Sequence, residues 1–243
     1  MSSLRSVCVS ISSAGAAYRQ QALGKRGKRG YSIQNTATGQ KTQVSGKWIM
    51  DTTRYFWQGQ LTRVRPVSPD DAEDAWQDRF DSPGRQVLQL GIELPVTVDQ
   101  LRERLARYAN CADVDGLILF TIENLAGARV GGLSYHTRDR KNGNFSFGIT
   151  VAQAHRSQGY AGDAARTLLR YGFLERAYHK CNSACMAGNE ASIRLHHALG
   201  FRDEGRRRDQ VFFNGRYHDE LLFGLTRAEF DAVDAARRPE WMR

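Results

Sequence analysis

The stretch His155-Arg156-Ser157-Gln158-Gly159-Tyr160-Ala161-Gly162 is the most informative part of this sequence. It lies between an apolar segment with the alternation of a β-strand, residues 145–151, and an amphipathic segment with helical spacing, residues 162–176. A helix N-terminus has unpaired backbone N–H groups and a partial positive charge, so it binds phosphate when the backbone can approach closely. Small residues in the stretch allow that approach, and its arginine adds a charged donor. By itself, the stretch fits a phosphate-binding loop and a plain strand-to-helix turn equally well.

A second informative segment runs from Asn189 to Phe201. Asn189 is a good N-cap for a short helix, and Gly200 is a natural residue at the C-terminal end of that helix. The residues before this segment, 181–187, have the character of a strand. After the first stretch, the order of elements is therefore helix, strand, helix.

Together, the two segments resemble the GNAT superfamily of acetyl-CoA-dependent N-acetyltransferases. The cofactor motif of that family is Arg or Gln, two residues, Gly, one residue, then Gly or Ala, and Arg156, Gly159 and Ala161 match it. The second family motif is an Asn followed by a short helix that ends in Leu-Gly-Phe. Asn189 and Leu199-Gly200-Phe201 match that motif in the expected order.

Residues near the C-terminus are similar to one branch of the family, which contains ribosomal-protein N-terminal acetyltransferases and spermidine acetyltransferases. These residues are Glu204-Gly205, Asn214-Gly215-Arg216-Tyr217 and Asp219. The resemblance covers residues 60–230 and implies a GNAT domain at residues 55–237. It implies an α/β (α+β) fold with a mixed, mostly antiparallel sheet of six or seven strands, flanked by helices. Two parallel strands, ending near Val151 and Ala187, are expected to splay and form the CoA cleft.

The residue pattern predicts the elements of this domain in chain order. Strands are predicted at Leu61–Val67, Leu117–Ile122, Val130–His136, Phe145–Val151 and Cys181–Ala187, and a hairpin with an Asn-Gly turn is predicted at Val211–Tyr217, continuing to Leu225. Helices are predicted after Ser68-Pro69-Asp70-Asp71, from Thr97, over Gly162–Arg176, after Asn189, and over Arg227–Ala236 after the cap Thr226.

The resemblance also implies which residues hold the cofactor. The end of one strand pairs with the pantetheine arm of acetyl-CoA as an added strand would, through Ile149, Thr150 and Val151. Backbone amides cradle the pyrophosphate beside Arg156, and Asn189 contacts the cofactor. The amides belong to Ser157, Gln158, Gly159, Tyr160, Ala161 and Gly162.

Acetyl transfer needs a neutral amine and a proton donor for the leaving thiolate. The tyrosine that often serves as acid in this family corresponds to His196, and a histidine with a pKa of about 6.5 can donate a proton near neutral pH. The glutamate that often serves as base corresponds to Ser146, so the base is open among His136, Glu123 and a water chain. A site without a strong base suits a peptide α-amine, with a pKa of about 7.7–8.0, better than a lysine-like amine, with a pKa of about 10.4.

We therefore expect an enzyme that transfers acetyl from acetyl-CoA to a primary amine by direct attack in a ternary complex. The expected acceptor is a protein or peptide N-terminal α-amine. The enzymatic alternative is a small amine, either a polyamine or an aminoglycoside-like antibiotic, and several carboxylates in the acceptor cleft would favour a polyamine. The alternative of another class is a non-catalytic acyl-CoA-binding domain. Formation of a homodimer stays open.

The positive charge of the chain lies mostly at its N-terminus. The net charge is +9, and residues 1–49 contain eight Lys or Arg and no acid. The expected domain is thus nearly neutral, and nucleic-acid binding is expected only through this basic segment. We expect residues 1–49 to be disordered, because they can bury too little apolar surface to offset chain entropy. Three interpretations stay open: a basic arm, a targeting peptide, and an over-extended start with translation beginning at Met50.

The composition argues against several other classes of protein. The cysteines Cys8, Cys111, Cys181 and Cys185 form no CxxC or zinc pattern, which favours reduced packing cysteines in a cytoplasmic protein without a bound metal. No run approaches the length of about 18 apolar residues that a membrane span needs. We therefore expect no membrane association.

Overall fold

A mixed seven-stranded sheet organises the described residues, which are 52–88 and 92–243 in this computed structural model. The strands are β1 (Thr62–Pro66), β2 (Ile118–Asn124), β3 (Arg129–Asp139), β4 (Asn144–Val151), β5 (Lys180–Met186), β6 (Arg202–Phe213) and β7 (Arg216–Thr226). The helices are α1 (Ala72–Gln77), α2 (Ser82–Val87), α3 (Val98–Tyr108), α4 (Tyr160–Arg170), α5 (Glu190–Leu199) and α6 (Arg227–Asp234). The predicted extension, residues 1–49, lies outside the described residues.

The order of strands in the sheet is β1-β2-β3-β4-β5-β7-β6, and all neighbours are antiparallel except β4 and β5. The parallel pairing of β4 with β5 covers three residue pairs: Asn144 with Lys180, Phe145 with Cys181, and Ser146 with Asn182. Beyond Ser146 and Asn182 the two strands separate. The predicted fold class and the predicted splay are both confirmed.

Helix α4 packs its apolar stripe against the sheet, and the side chains of Ala164, Ala165, Leu168 and Leu169 are completely buried. The sequence predicts one helix over residues 162–176, but α4 begins at Tyr160 and continues after Arg170 as a π-helical turn, Tyr171–Glu175. A Cβ atom on Gly172, within that turn, would lie 2.4 Å from the ring of Phe145. The turn thus brings the backbone directly against a core ring, where only glycine fits.

Two segments differ from the sequence prediction. Helix α2 is absent from that prediction, although Asp81 caps its N-terminus by accepting a hydrogen bond from the backbone N–H of Gly84. Strand β6 begins at Arg202, well before the predicted hairpin at residues 211–217. It is the edge strand of the sheet and is exposed along most of its length, so it lacks the apolar alternation by which strands are recognised.

The carboxylate of Asp163, in the first turn of α4, fixes that turn to the chain that enters β1. It accepts hydrogen bonds from the backbone N–H groups of Gln60 (2.9 Å), Leu61 (3.0 Å) and Thr62 (2.9 Å). It also accepts one from the hydroxyl of Thr62, at 2.7 Å. The loop that begins α4 is therefore tied directly to the first strand.

A buried ion cluster attaches α6 to α4. The carboxylate of Asp234 is completely buried and accepts hydrogen bonds from the guanidinium of Arg170, at 2.9 and 3.0 Å. Arg238 donates to the same carboxylate at 3.0 Å, and Arg170 also donates to the backbone carbonyl of Arg237 at 2.9 Å. Asp234 therefore connects Arg170 of α4 to the chain that follows α6.

The cysteines of the described residues, Cys111, Cys181 and Cys185, are free thiols. Burial raises the pKa of the Cys181 thiol, so this side chain packs as a neutral group. Within residues 52–88 and 92–243, no helix has the length and apolar character that a membrane crossing requires.

Candidate active site

The separated ends of β4 and β5 line a cleft of about 700 Å³. Residues Phe147 to Val151 of β4 pair with β3 on one side, and on the other side they have no strand partner among the described residues. An extended chain that carries amides can pair with such an edge. The strand edge that is predicted to pair with the pantetheine arm is therefore open at Ile149, which lines the cleft, and at the next residue, Thr150.

The predicted phosphate loop has the backbone that close approach requires. Gly159 is the N-cap of α4 and has a φ of 84°, in the left-handed region. A Cβ atom at this position would lie 3.0 Å from Leu61. Because α4 begins at Tyr160, its first N–H groups have no partner within the helix. The geometry fits a pyrophosphate at residues 157–162, including Ser157, Gln158, Ala161 and Gly162.

The two predicted cofactor side chains both contact the short helix α2. Arg156 forms an ion pair with Asp81, the N-cap of α2, and its Nε donates to the Val151 carbonyl at 3.2 Å. Asn189 caps α5 by accepting from the backbone N–H of Ser192 at 3.1 Å, and its Nδ2 donates to the carbonyl of Val87 at 3.2 Å. The two side chains that the resemblance assigns to CoA therefore already have polar contacts with α2, one at each end of the helix.

We expect Asp81→Asn to bind CoA up to about fivefold more tightly, because a half-exposed ion pair is worth up to about 1 kcal/mol and must be broken to free Arg156. Asparagine is also a good N-cap, so α2 should persist. Titration calorimetry with CoA measures the change. Asp78→Asn is the control, since Asp78 pairs with Arg129, at 2.7 Å, and not with Arg156. Binding by Asp81→Asn that is equal to or weaker than that of the control contradicts this competition.

His196 is almost completely buried, at 4% exposed, and both of its ring nitrogens are occupied. Its Nδ1 lies 2.7 Å from the carbonyl oxygen of Ser192, which can only accept, so Nδ1 carries the proton. Its Nε2 lies 2.7 Å from the hydroxyl of Ser183 and accepts a hydrogen bond from it. The ring stacks on Phe223, with centroids 4.5 Å apart, and burial lowers the pKa of His196. The imidazole is therefore held neutral and in one tautomer, and both His196 and Ser183 line the cleft.

A second serine–histidine pair lies on the opposite wall of the cleft. The Oγ of Ser146 is 2.9 Å from Nδ1 of His136, on the neighbouring strand β3. Burial, and then the charge of Arg138, lower the pKa of His136. Glu123 is instead held by Arg63 and Arg65 outside the cleft. The sequence left His136 and Glu123 open as the base. The structure places His136 beside Ser146 and holds Glu123 elsewhere.

Sequence reasoning missed Ser183, which lies 2.7 Å from the ring of His196. The signal was present, because alternate residues of a strand share a face and Ser183 lies midway between the buried Cys181 and Cys185. In the part of the chain that the structure describes, no group of three or more His, Cys, Asp or Glu side chains is arranged to hold a metal ion.

Known proteins resemble this chain over the same region. Residues 62–202 match a family model described as an acetyltransferase (GNAT) domain. The chain is 32% identical over 178 residues to the SPbeta prophage-derived uncharacterized N-acetyltransferase YokL of Bacillus subtilis (strain 168), a match that covers 72% of this chain and 96% of the relative. It is 27% identical to the putative ribosomal N-acetyltransferase YdaF of the same strain, over 57% of this chain and 76% of that relative.

A solved structure shares the fold. The spermidine N-acetyltransferase from Vibrio cholerae, in complex with CoA and spermine, superposes with a TM-score of 0.61 at 18% identity, covering 70% of this chain and 97% of that one. The sheet with its splayed strands, the glycine loop before α4 and these matches agree with one another. The chain belongs to the GNAT family of acetyltransferases, enzymes that take their acetyl group from acetyl-CoA.

Proposed function

We propose that this protein transfers acetyl from acetyl-CoA to a peptide or protein N-terminal α-amine, by direct attack in a ternary complex. The observation that carries the proposal is that two serine–histidine pairs face one cleft, where the acetyl group and the amine would meet. The charged side chains lining that cleft are already held in ion pairs, which bears on the class of amine.

The donor side of the site fits acetyl-CoA. The unpaired edge of β4 would hold the pantetheine arm at Ile149, Thr150 and Val151. The N–H groups at the start of α4 would hold the pyrophosphate, with Arg156 as a charged donor. Asn189 would bind the cofactor with the amide that now donates to α2. When bound, acetyl-CoA supplies the activated acetyl group as a thioester.

An α-ammonium group must lose one proton before it attacks and a second one as the amide forms. We assign the first proton to the pair of Ser146 and His136, whose lowered pKa keeps the imidazole neutral and able to accept it. We assign the second proton, which must reach the leaving sulfur, to His196 on the other wall. Two separate pairs thus serve two separate proton transfers.

The charges of the cleft favour an α-amine over a polyamine. Among the described residues lining the cleft, Glu204 is the one acid, and Lys180 already pairs with it at 2.6 Å. The one arginine there, Arg207, pairs with Glu220 at 2.9 Å. A polyamine carries several positive charges and binds best where several carboxylates are free. A peptide terminus carries one charge, which is a better match to this nearly neutral surface.

A panel of amines tests the proposal through release of free thiol from acetyl-CoA. We expect turnover on peptides, with rates that depend on the first residue, and little turnover on spermidine or an aminoglycoside. The matched control is one lysine-containing peptide, prepared with a free and with an acetylated N-terminus. The acetylated form should be inactive, because its remaining amine, with a pKa of about 10.4, is almost fully protonated at neutral pH.

Two outcomes of the panel would contradict the proposal. Faster turnover of spermidine than of every peptide would assign the site to small amines. Tight CoA binding without turnover of any amine would favour the non-catalytic acyl-CoA-binding alternative.

A further inference from the structure

We propose that Ser183 is a catalytic residue of this acetyltransferase, and that its hydroxyl carries a proton from the attacking nitrogen to His196 and then from His196 to the leaving sulfur. The proposal rests on the proposed function and deepens it, because it names the group that contacts the reacting atoms. It is supported by the position of Ser183 in the sheet and by the direction of its hydrogen bond.

Ser183 lies where the two parallel strands part. It comes directly after Asn182, the last residue of β5 that pairs with β4, and it lines the cleft that opens beyond this point. On the other wall, Ser146 is the last residue of β4 that pairs with β5. Because Ser146 shares a face of the sheet with its register partner Asn182, Ser183 points to the opposite face, and the two serines line the narrow end of the cleft from opposite faces of the sheet. A thioester that lies between the strands would have Ser183 on one face of the sheet and Ser146 on the other.

The hydrogen bonds of His196 fix the direction of the Ser183 hydroxyl. Since Nδ1 of His196 donates to the Ser192 carbonyl, the neutral ring has a lone pair on Nε2, and the Ser183 hydroxyl donates to it at 2.7 Å. The oxygen of Ser183 then presents its own lone pairs to the cleft. Before the reaction, the pair is thus arranged to receive a proton.

Ser183 is the side chain hydrogen-bonded to Nε2 of His196, and both residues line the cleft. Nδ1 of His196 is occupied by the Ser192 carbonyl, its ring lies against Phe223, and 4% of the residue is exposed. The hydrogen bond to Ser183 therefore gives Nε2 a direct path for a proton between the buried ring and the cleft.

The relay through Ser183 begins after the first proton of the ammonium group has left through Ser146 and His136. The lone pair of the amine nitrogen forms a bond to the thioester carbon. The nitrogen loses a proton to Oγ of Ser183, while the proton of that hydroxyl moves to Nε2 of His196. The carbon–sulfur bond breaks with its electron pair on sulfur, Nε2 returns its proton to Oγ, and the hydroxyl proton moves to sulfur. The products are an amide and a thiol, and both residues end unchanged.

Two substitutions at one position test this role. We expect Ser183→Ala to lower kcat on the best peptide of the panel by about 10²-fold or more, since positioned proton transfer contributes about 10²- to 10⁴-fold. We expect the KM values for acetyl-CoA and peptide to stay within about twofold, because the lost interaction acts in the transition state. Ser183→Thr keeps a hydroxyl at the same place and should retain kcat within about tenfold of the wild type. CoA affinity by calorimetry shows that both variants fold.

Each possible result has a defined meaning. A wild-type kcat in Ser183→Ala, or an equal loss in Ser183→Thr, would overturn the role of Ser183 and leave the proposed function standing. Mass spectrometry of the wild type with acetyl-CoA and no amine gives a further check, because an acetyl group on Ser183 would make it a nucleophile and overturn the relay. Absence of wild-type turnover on every amine would remove both proposals.

Discussion

Replacement of Asp234 by alanine is expected to lower the free energy of unfolding by about 3–5 kcal/mol, which is the cost of leaving a buried charge without its partner. The Asp234 carboxylate is completely buried, and the Arg170 side chain that it binds is 7% exposed. Without Asp234, the guanidinium of Arg170 keeps one partner, the Arg237 carbonyl, and cannot be deprotonated to avoid the cost. Urea unfolding, monitored by circular dichroism, measures the loss.

Asp231 provides the matched control in the same segment. It pairs with Arg238 and Arg227 but is 40% exposed, so Asp231→Ala should cost about 1 kcal/mol or less. The double variant Arg170→Met with Asp234→Leu should recover part of the stability lost in Asp234→Ala, because it removes the charge of Arg170 together with its partner, while Arg238 keeps Asp231. Equal losses in Asp234→Ala and Asp231→Ala would contradict this account.

His196→Gln is expected to lower kcat by about 10²- to 10⁴-fold, with little change in CoA affinity. Glutamine can donate to the Ser192 carbonyl and accept from Ser183, so it can preserve the hydrogen bonds of the buried ring. It cannot hold a proton in transit, because an amide does not titrate. The loss therefore reports proton transfer, and it is measured by steady-state thiol release on the best peptide.

The next residue supplies the control. The side chain of His197 is 48% exposed and pairs with Asp203 at 3.3 Å, outside the cleft. His197→Gln makes the same chemical change one position along α5 and should leave kcat within about twofold. If His196→Gln retained wild-type kcat, His196 would have no role in moving protons and would serve only to pack the core beside Phe223.

Most strands of the sheet could be predicted from short apolar segments bounded by turn residues, in which the buried residues form a continuous run, as in β2, or alternate, as in β1. Helix α2 could not, although Asp81-Ser82-Pro83 is the same kind of start signal as the recognised Ser68-Pro69. Helix α2 has only six residues and none of them is buried, so no apolar periodicity supports its start signal. The first half of β6 was not predicted for a related reason: it is an exposed edge strand and has no apolar face to recognise.

The site could be predicted as far as its motifs extend. Local patterns name Arg156 and Asn189, and the structure places both beside α2. The local patterns do not predict the partners Asp81 and Val87. These partners are 75 and 102 positions away from Arg156 and Asn189 in the chain, and a single sequence contains no local pattern for contacts at that separation. His196 is named by its position in the family, whereas its orientation depends on a strand residue 13 positions away. The hydrogen bonds of His196 are therefore determined by tertiary contacts and not by the motifs.

The contacts of α2 also bear on how the enzyme selects its donor. In the binding mode proposed above, CoA would have to replace Asp81 at Arg156 and the Val87 carbonyl at Asn189, so its net affinity would be a difference between two sets of polar contacts. A donor that offers both a pyrophosphate and a pantetheine amide replaces both partners of α2. A donor such as acetyl-pantetheine, which lacks the phosphates, leaves Arg156 with Asp81 and gains less from the exchange. In that binding mode, α2 would compete with the donor for both side chains and would favour complete acetyl-CoA over short thioesters.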